Sequence, residues 1–136
     1  MITSKQARIR VFTHFLQELA GLSKCTDKKI AAIIINEQAD QVLSIGVNGG
    51  PKGGMDCLCQ LGGKYTCVHA EANALAKCHV DCSEKIMLCT MSPCITCATL
   101  IVNSGISGFY YINDYKDSTG LSILSFAGVD IRKLEV

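Results

Sequence analysis

Apolar positions recur at helical spacing near the start of the chain. Ile9, Phe12, Leu16 and Leu19 mark one face between Lys5 and Ala20, and Gly21 follows as a natural stop. The period then changes. Ile30 to Asn36 is a short run rich in isoleucine, which predicts a buried strand, and Val42 to Val47 predicts a second. The five residues between them suit a hairpin. From Asn48 to Lys64 neither period survives. That stretch holds six of the twelve glycines together with Pro51, and reads as a long surface loop of the kind that often serves function.

A regular alternation follows. It predicts a helix over about His69 to Cys78, a strand over Ile86 to Cys89, and a helix over about Cys94 to Asn103 with Gly105 just past its end. The strand Phe109 to Ile112, a helix near Thr119 to Phe126 closed by Gly128, and a last strand from Val129 to Leu134 complete it. Strand, helix, strand, helix, strand with short links implies right-handed crossovers and parallel pairing. The expected fold is α/β, with a mixed five-stranded sheet, helices on both faces, and one domain over residues 1–136. Neither an internal repeat nor a linker is evident.

Composition narrows the classes. Thirteen basic and twelve acidic side chains give a net charge of +1, which provides no general field for a nucleic acid polymer. The longest apolar run, Ile30 to Ile35, is far too short to cross a membrane, and the N-terminus carries charges rather than a signal sequence. A cytoplasmic protein (in the host cytoplasm, if viral) is the expectation. Nine cysteines are many for 136 residues, and the number is odd. Without an export signal they point to metal ligation, catalysis and core packing rather than disulfides.

Two short motifs carry candidate chemistry: His69-Ala70-Glu71 and, 25 residues on from His69, Pro93-Cys94-Ile95-Thr96-Cys97. Ser92 is a candidate N-cap and Pro93 suits the first helical position, which would put Cys94 and Cys97 one turn apart on one helix face. The positive end of a helix favours thiolate, and two thiolates with His69 make three ligands for one zinc ion. A fourth, open position distinguishes catalytic from structural zinc. Glu71, two residues beyond His69, then serves as the base that takes the proton of a zinc-activated water. Each motif alone is commonplace. Their order, the preceding proline and the helix-strand spacing make the pair specific.

Jointly these residues resemble the zinc-dependent cytidine deaminase superfamily, whose signature is H-x-E followed by P-C-x-x-C. Within it the chain is similar to the deoxycytidylate (dCMP) deaminases. Val68 to Leu75 looks like that family's zinc helix, Thr90 to Ala98 its second zinc motif, Ile101 to Ile106 the end of the next helix, and Ala127-Gly128-Val129 with Arg132-Lys133 its last strand. Ser23-Lys24, the segment Gly46-Val47-Asn48-Gly49-Gly50-Pro51-Lys52-Gly53, and Tyr115 with Asp117 are similar to features of the nucleotide branch. Val47 stands where an aromatic is usual and Lys52 where arginine is common. The Gly-rich loop is short, as in compact viral or phage-type members.

The resemblance implies a three-layer cytidine deaminase-like fold, Zn2+ as cofactor, and hydrolysis of dCMP to dUMP and ammonia. It assigns His69, Cys94 and Cys97 to the metal and Glu71 to proton transfer. Asn48 would bind the deoxyribose hydroxyl, the Ala70 amide the base carbonyl, and the Ser92 carbonyl the amine. Tyr115, Ser23 and Lys24 would bound sugar and phosphate, although an ordinary solvated loop explains Ser23 and Lys24 equally well. A homohexamer is implied, activated by dCTP and inhibited by dTTP, with Asn48, Gly49, Gly50, Lys52 and Gly53 near the regulatory nucleotide.

Rival readings are a dCTP or free-nucleoside deaminase, a tRNA adenosine deaminase and a non-enzymatic zinc module. Nucleoside enzymes usually carry cysteine in place of His69. The near-zero net charge and the Ser-Lys and Asn-Gly-Gly-Pro segments disfavour tRNA. Cys25 and Cys89 are expected to pack in or near the core. For Cys57, Cys59, Cys67, Cys78 and Cys82, packing is preferred to a second zinc site.

Overall fold

A computed structural model describes residues 1–53, 57, 59, 67–81 and 84–136. Much of the Gly-rich stretch after Gly53, and Cys82, lie outside the described residues. The elements run α1 (Ser4–Ala20), β1 (Ala31–Asn36), β2 (Val42–Val47), α2 (Ala70–Lys77), β3 (Lys85–Met91), α3 (Ile95–Asn103), β4 (Gly108–Asn113), α4 (Thr119–Phe126) and β5 (Asp130–Lys133). The sheet order is β2-β1-β3-β4-β5. β1 is antiparallel to both neighbours, whereas β3, β4 and β5 are mutually parallel, as the two helical crossovers require.

The alternation of side chains along β1 divides the core. Ala32 and Ile34 face α2, α3 and α4, where Ala70, Ala74, Ala98, Ile101 and Leu124 are fully buried. Ala31, Ile33 and Ile35 face the other way, onto Leu16 and Leu19 of α1. A strand covered on both faces reads as a continuous apolar run, which is why Ile30 to Ile35 shows no alternation. The predicted three-layer α/β architecture is the observed one.

One glycine sets how closely the first motif meets the sheet. A Cβ on Gly46 would stand 2.5 Å from the Ala70 carbonyl oxygen and 2.6 Å from the Ala74 nitrogen. Only glycine lets α2 rest on β2 backbone to backbone. The contact is fastened by Ser44 Oγ donating to the Ala74 carbonyl at 2.6 Å and Asn73 Nδ2 donating to the Val47 carbonyl at 2.8 Å.

Candidate functional site

The start of α2 and the start of α3 converge beyond the end of β3. His69 is the N-cap of α2, in extended conformation, so its ring swings out ahead of the helix. Cys94 is the N-cap of α3, and its sulfur accepts from the Cys97 amide at 3.4 Å. Here the structure departs from the expectation that Ser92 caps and Pro93 opens the helix. Ser92 Oγ accepts the Tyr115 amide at 2.7 Å instead, tying the loop after β4 to the end of β3. With that hydroxyl taken, the cap falls to the cysteine two residues on.

His69 Nδ1 lies 3.2 Å from Cys97 Sγ and 3.6 Å from Cys94 Sγ, and the three ligand atoms lie within 4.8 Å of one another. A tetrahedral zinc with nitrogen at about 2.0–2.1 Å and sulfur at about 2.3 Å needs nitrogen–sulfur separations of about 3.6 Å. The donor set therefore fits zinc in both chemistry and spacing. The Cys94 thiol is pulled down to about 4 by hydrogen bonds from Cys97 and His69. Cys97 is pushed up, first by its bond to Cys94 and then by burial. The two thiols thus share one strongly favoured deprotonation, and a dication would displace the remaining thiol proton on binding.

Glu71 sits in the first turn of α2 and is only 5% exposed. Burial raises its carboxyl above the ordinary carboxylate range, which favours the form that carries a proton.

His69, Ala70, Glu71, Ser92, Cys94, Asn48 and Tyr115 line one cleft. Asn48 is held firmly: its Oδ1 accepts from Ile30 N at 2.9 Å and from Ser23 Oγ at 2.6 Å, and its Nδ2 donates to the Lys28 carbonyl at 2.7 Å. Ser23 is buried behind Asn48 and does not line the cleft. Lys24 opens into a separate cavity with Gly49, Gly50, Lys52 and Gly53. Among the described residues, the cations that line the cleft are Lys28 and Lys116, neither of which was a candidate from sequence. Lys28 Nζ stands 5.3 Å from the centre of the Tyr115 ring. A signal for Lys116 existed, since ligands of open α/β sheets gather beyond the carboxyl ends of parallel strands and Lys116 follows β4.

A second glycine closes the site from below. A Cβ on Gly120 would stand 2.1 Å from the Pro93 carbonyl oxygen and 3.0 Å from that of Cys94, so α4 packs directly against the turn that carries the ligand.

The family described as the cytidine and deoxycytidylate deaminase zinc-binding region matches residues 6–113. The chain belongs to this family. It is 30% identical to the deoxycytidylate deaminase of Saccharomyces cerevisiae over 128 residues, which cover 84% of this chain but 40% of that one. It is 33% identical to the human deoxycytidylate deaminase over 129 residues, covering 84% of this chain and 72% of the human protein. Among solved structures, the dCMP deaminase of cyanophage S-TIM5 in complex with dCMP and dUMP superposes with a TM-score of 0.85 at 26% identity, over 98% of this chain and all of that one. The fold is the cytidine deaminase-like one, and Zn2+ is the metal that both the family and the His-Cys-Cys cluster fit. No helix among the described residues is long and apolar enough to cross a membrane.

Proposed function

We propose that this chain hydrolyses dCMP to dUMP and ammonia, with His69, Cys94 and Cys97 as the metal ligands. The observation that carries the reading is the convergence of those three donors with buried Glu71 in a cleft walled by Asn48 and Tyr115. Family membership and the superposition on a deaminase holding dCMP and dUMP support it.

His69, Cys94 and Cys97 would hold the zinc, which would supply a water acidic enough to be deprotonated at neutral pH. Glu71 takes a proton from that water and hands it to the ring nitrogen next to the carbon that bears the amine. The same carboxyl would then take the hydroxyl proton left by the added water and give it to the departing amine, so that ammonia leaves and the ring carbon keeps a carbonyl oxygen. The Ala70 amide, at the first position of α2, has no partner within the helix and is free to donate to the base carbonyl. The Ser92 backbone carbonyl, at the cleft wall, accepts from the amine. Asn48 spends one Nδ2 hydrogen on Lys28 and keeps the other for the deoxyribose hydroxyl. Tyr115 packs against the sugar. Lys28 and Lys116 bind the 5′-phosphate, with Ser23 acting through Asn48.

The same proposal makes the protein a cytoplasmic homohexamer activated by dCTP and inhibited by dTTP. The regulatory nucleotide would occupy the cavity lined by Lys24, Lys52 and Lys77 together with Asn48, Gly49, Gly50 and Gly53. Three lysines around a glycine-rich turn suit a polyphosphate.

The test is ammonia release from dCMP, dCTP, deoxycytidine and cytidine in turn, each with and without added dCTP or dTTP. The expected result is turnover of dCMP well above the other three. Equal turnover of deoxycytidine would remove the phosphate from the recognition scheme, and inertness toward all four would leave a zinc-binding module.

A further inference from the structure

We infer that Cys25, Cys57, Cys59 and Cys67 form a second metal centre, a closed four-thiolate zinc site separate from the His69, Cys94 and Cys97 group. Their four sulfurs lie within 4.8 Å of one another. Cys59 Sγ is 3.2 Å from Cys67 Sγ, and Cys67 Sγ is 3.6 Å from Cys25 Sγ. Zinc–sulfur bonds of about 2.3 Å set sulfur–sulfur separations of about 3.8 Å in a tetrahedron. The two separations fall about 0.6 and 0.2 Å short of that figure, a contraction that an ion seated among the sulfurs would relieve. The expectation of plain packing for Cys57, Cys59 and Cys67 explains this poorly. Packing buries thiols among apolar groups, but four sulfurs converging on one point from three separate segments is the geometry of a shared ion.

The membership differs from the set weighed on sequence. Cys25, assigned there only to the core, supplies the fourth ligand. Cys78 instead packs, half-buried, against the core under α2. Cys25 comes from the turn between α1 and β1, Cys57 and Cys59 from the Gly-rich stretch, and Cys67 from just before α2. No sequence period joins those segments. Thr26 Oγ1 stands 3.8 Å from Cys57 Sγ, a position suited to a hydroxyl donating to a metal-bound thiolate.

Four protein ligands leave no open position, so the centre is structural rather than catalytic. What it would hold is the cleft. Cys25, Cys59 and Cys67 line the same cleft as His69 and Glu71. The Cys25 amide donates to Ser23 Oγ at 3.2 Å, and Ser23 in turn holds Asn48. A metal here would clamp the Gly-rich stretch to the Ser23–Asn48 pair and to the residue two places before His69.

The decisive measurement is zinc per chain by mass spectrometry on the full-length protein, purified with a non-thiol reductant. Two zinc ions per chain are expected. His69→Ala with Cys94→Ala should lower the count to one, and Cys59→Ser with Cys67→Ser should also lower it to one. In the first of these variants, cobalt loaded in place of zinc should give the intense sulfur-to-metal absorption of a tetrahedral thiolate site. None of these readouts depends on turnover. A single zinc in the unaltered protein, lost with His69 and Cys94, would overturn the inference without any variant of the second cluster having to fold. So would a disulfide between any two of the four cysteines in the protein as purified.

Discussion

The buried hydroxyl of Ser23 donates to both the backbone carbonyl and the side-chain Oδ1 of Asn48, at 2.8 and 2.6 Å. Asn48 sits just past the end of β2, its backbone amide still donating to the Ile30 carbonyl at 3.1 Å. The hydroxyl fixes its rotamer and, with the Ile30 amide and the Lys28 carbonyl, decides which end of the amide faces the cleft. Ser23→Ala leaves that buried carbonyl and amide oxygen short of a donor, a loss of about 1–3 kcal/mol. We expect a lower denaturation midpoint together with a raised KM for dCMP. Unchanged KM would show that Asn48 keeps its orientation without Ser23.

Glu71→Gln preserves size and burial but cannot accept a proton. The expected outcome is zinc content and thermal stability close to the parent protein, with kcat down by about 10²–10⁴-fold. Metal analysis and steady-state kinetics on the same preparation separate this from a ligand defect. Near-parental turnover would end the proposed role.

Gly120→Ala forces a methyl group into the Pro93 carbonyl, 2.1 Å away. Relief requires α4 to back away or the Cys94 turn to shift, at a cost of about 1–3 kcal/mol as in other overpacked cores. Zinc should then be lost to a chelator at lower concentration than from the parent. A variant of unchanged stability and unchanged zinc retention would contradict the close packing of α4 on that turn.

Lys28→Ala and Lys116→Ala test how phosphate is recognised. Each should raise KM for dCMP by about tenfold, equivalent to about 1.4 kcal/mol, with kcat nearly unchanged. The weak activity expected on deoxycytidine should hardly move, because that substrate carries no phosphate. An equal loss on both substrates would assign these lysines to the fold instead.

Stability should fall on the alkaline side. Burial raises the Cys89 thiol well above its ordinary value and raises the phenols of Tyr110 and Tyr111. Each group keeps its proton in the folded chain at a pH where the unfolded chain has lost it. Their contribution is complete below the unfolded values, about 8.5 for cysteine and about 10 for tyrosine, and is lost as pH rises beyond them. Each proton so retained gives a slope of about 1.4 kcal/mol per pH unit. Denaturant titrations from pH 7 to 10 should show a plateau and then a decline, shallower in Cys89→Ala by about one proton's worth. An identical slope in that variant would remove Cys89 from the account.

The sequence by itself determined the period and order of the elements, and hence the three-layer sheet, because helical and strand periodicities are local. His69, Glu71, Cys94 and Cys97 were legible for the same reason: each motif fits within one turn of chain, and one crossover separates them. Convergence of segments remote in sequence was another matter. That Ser92 turns its hydroxyl to Tyr115, that Ser23 backs Asn48 while Lys28 and Lys116 line the cleft, and that Cys25 meets Cys57, Cys59 and Cys67 are all long-range facts. Gly46 and Gly120 looked like ordinary strand and helix residues until the backbones they admit were in place. Tertiary structure alone decided these, because which polar groups and sulfurs meet depends on how the packed layers bring distant turns together at one end of the sheet.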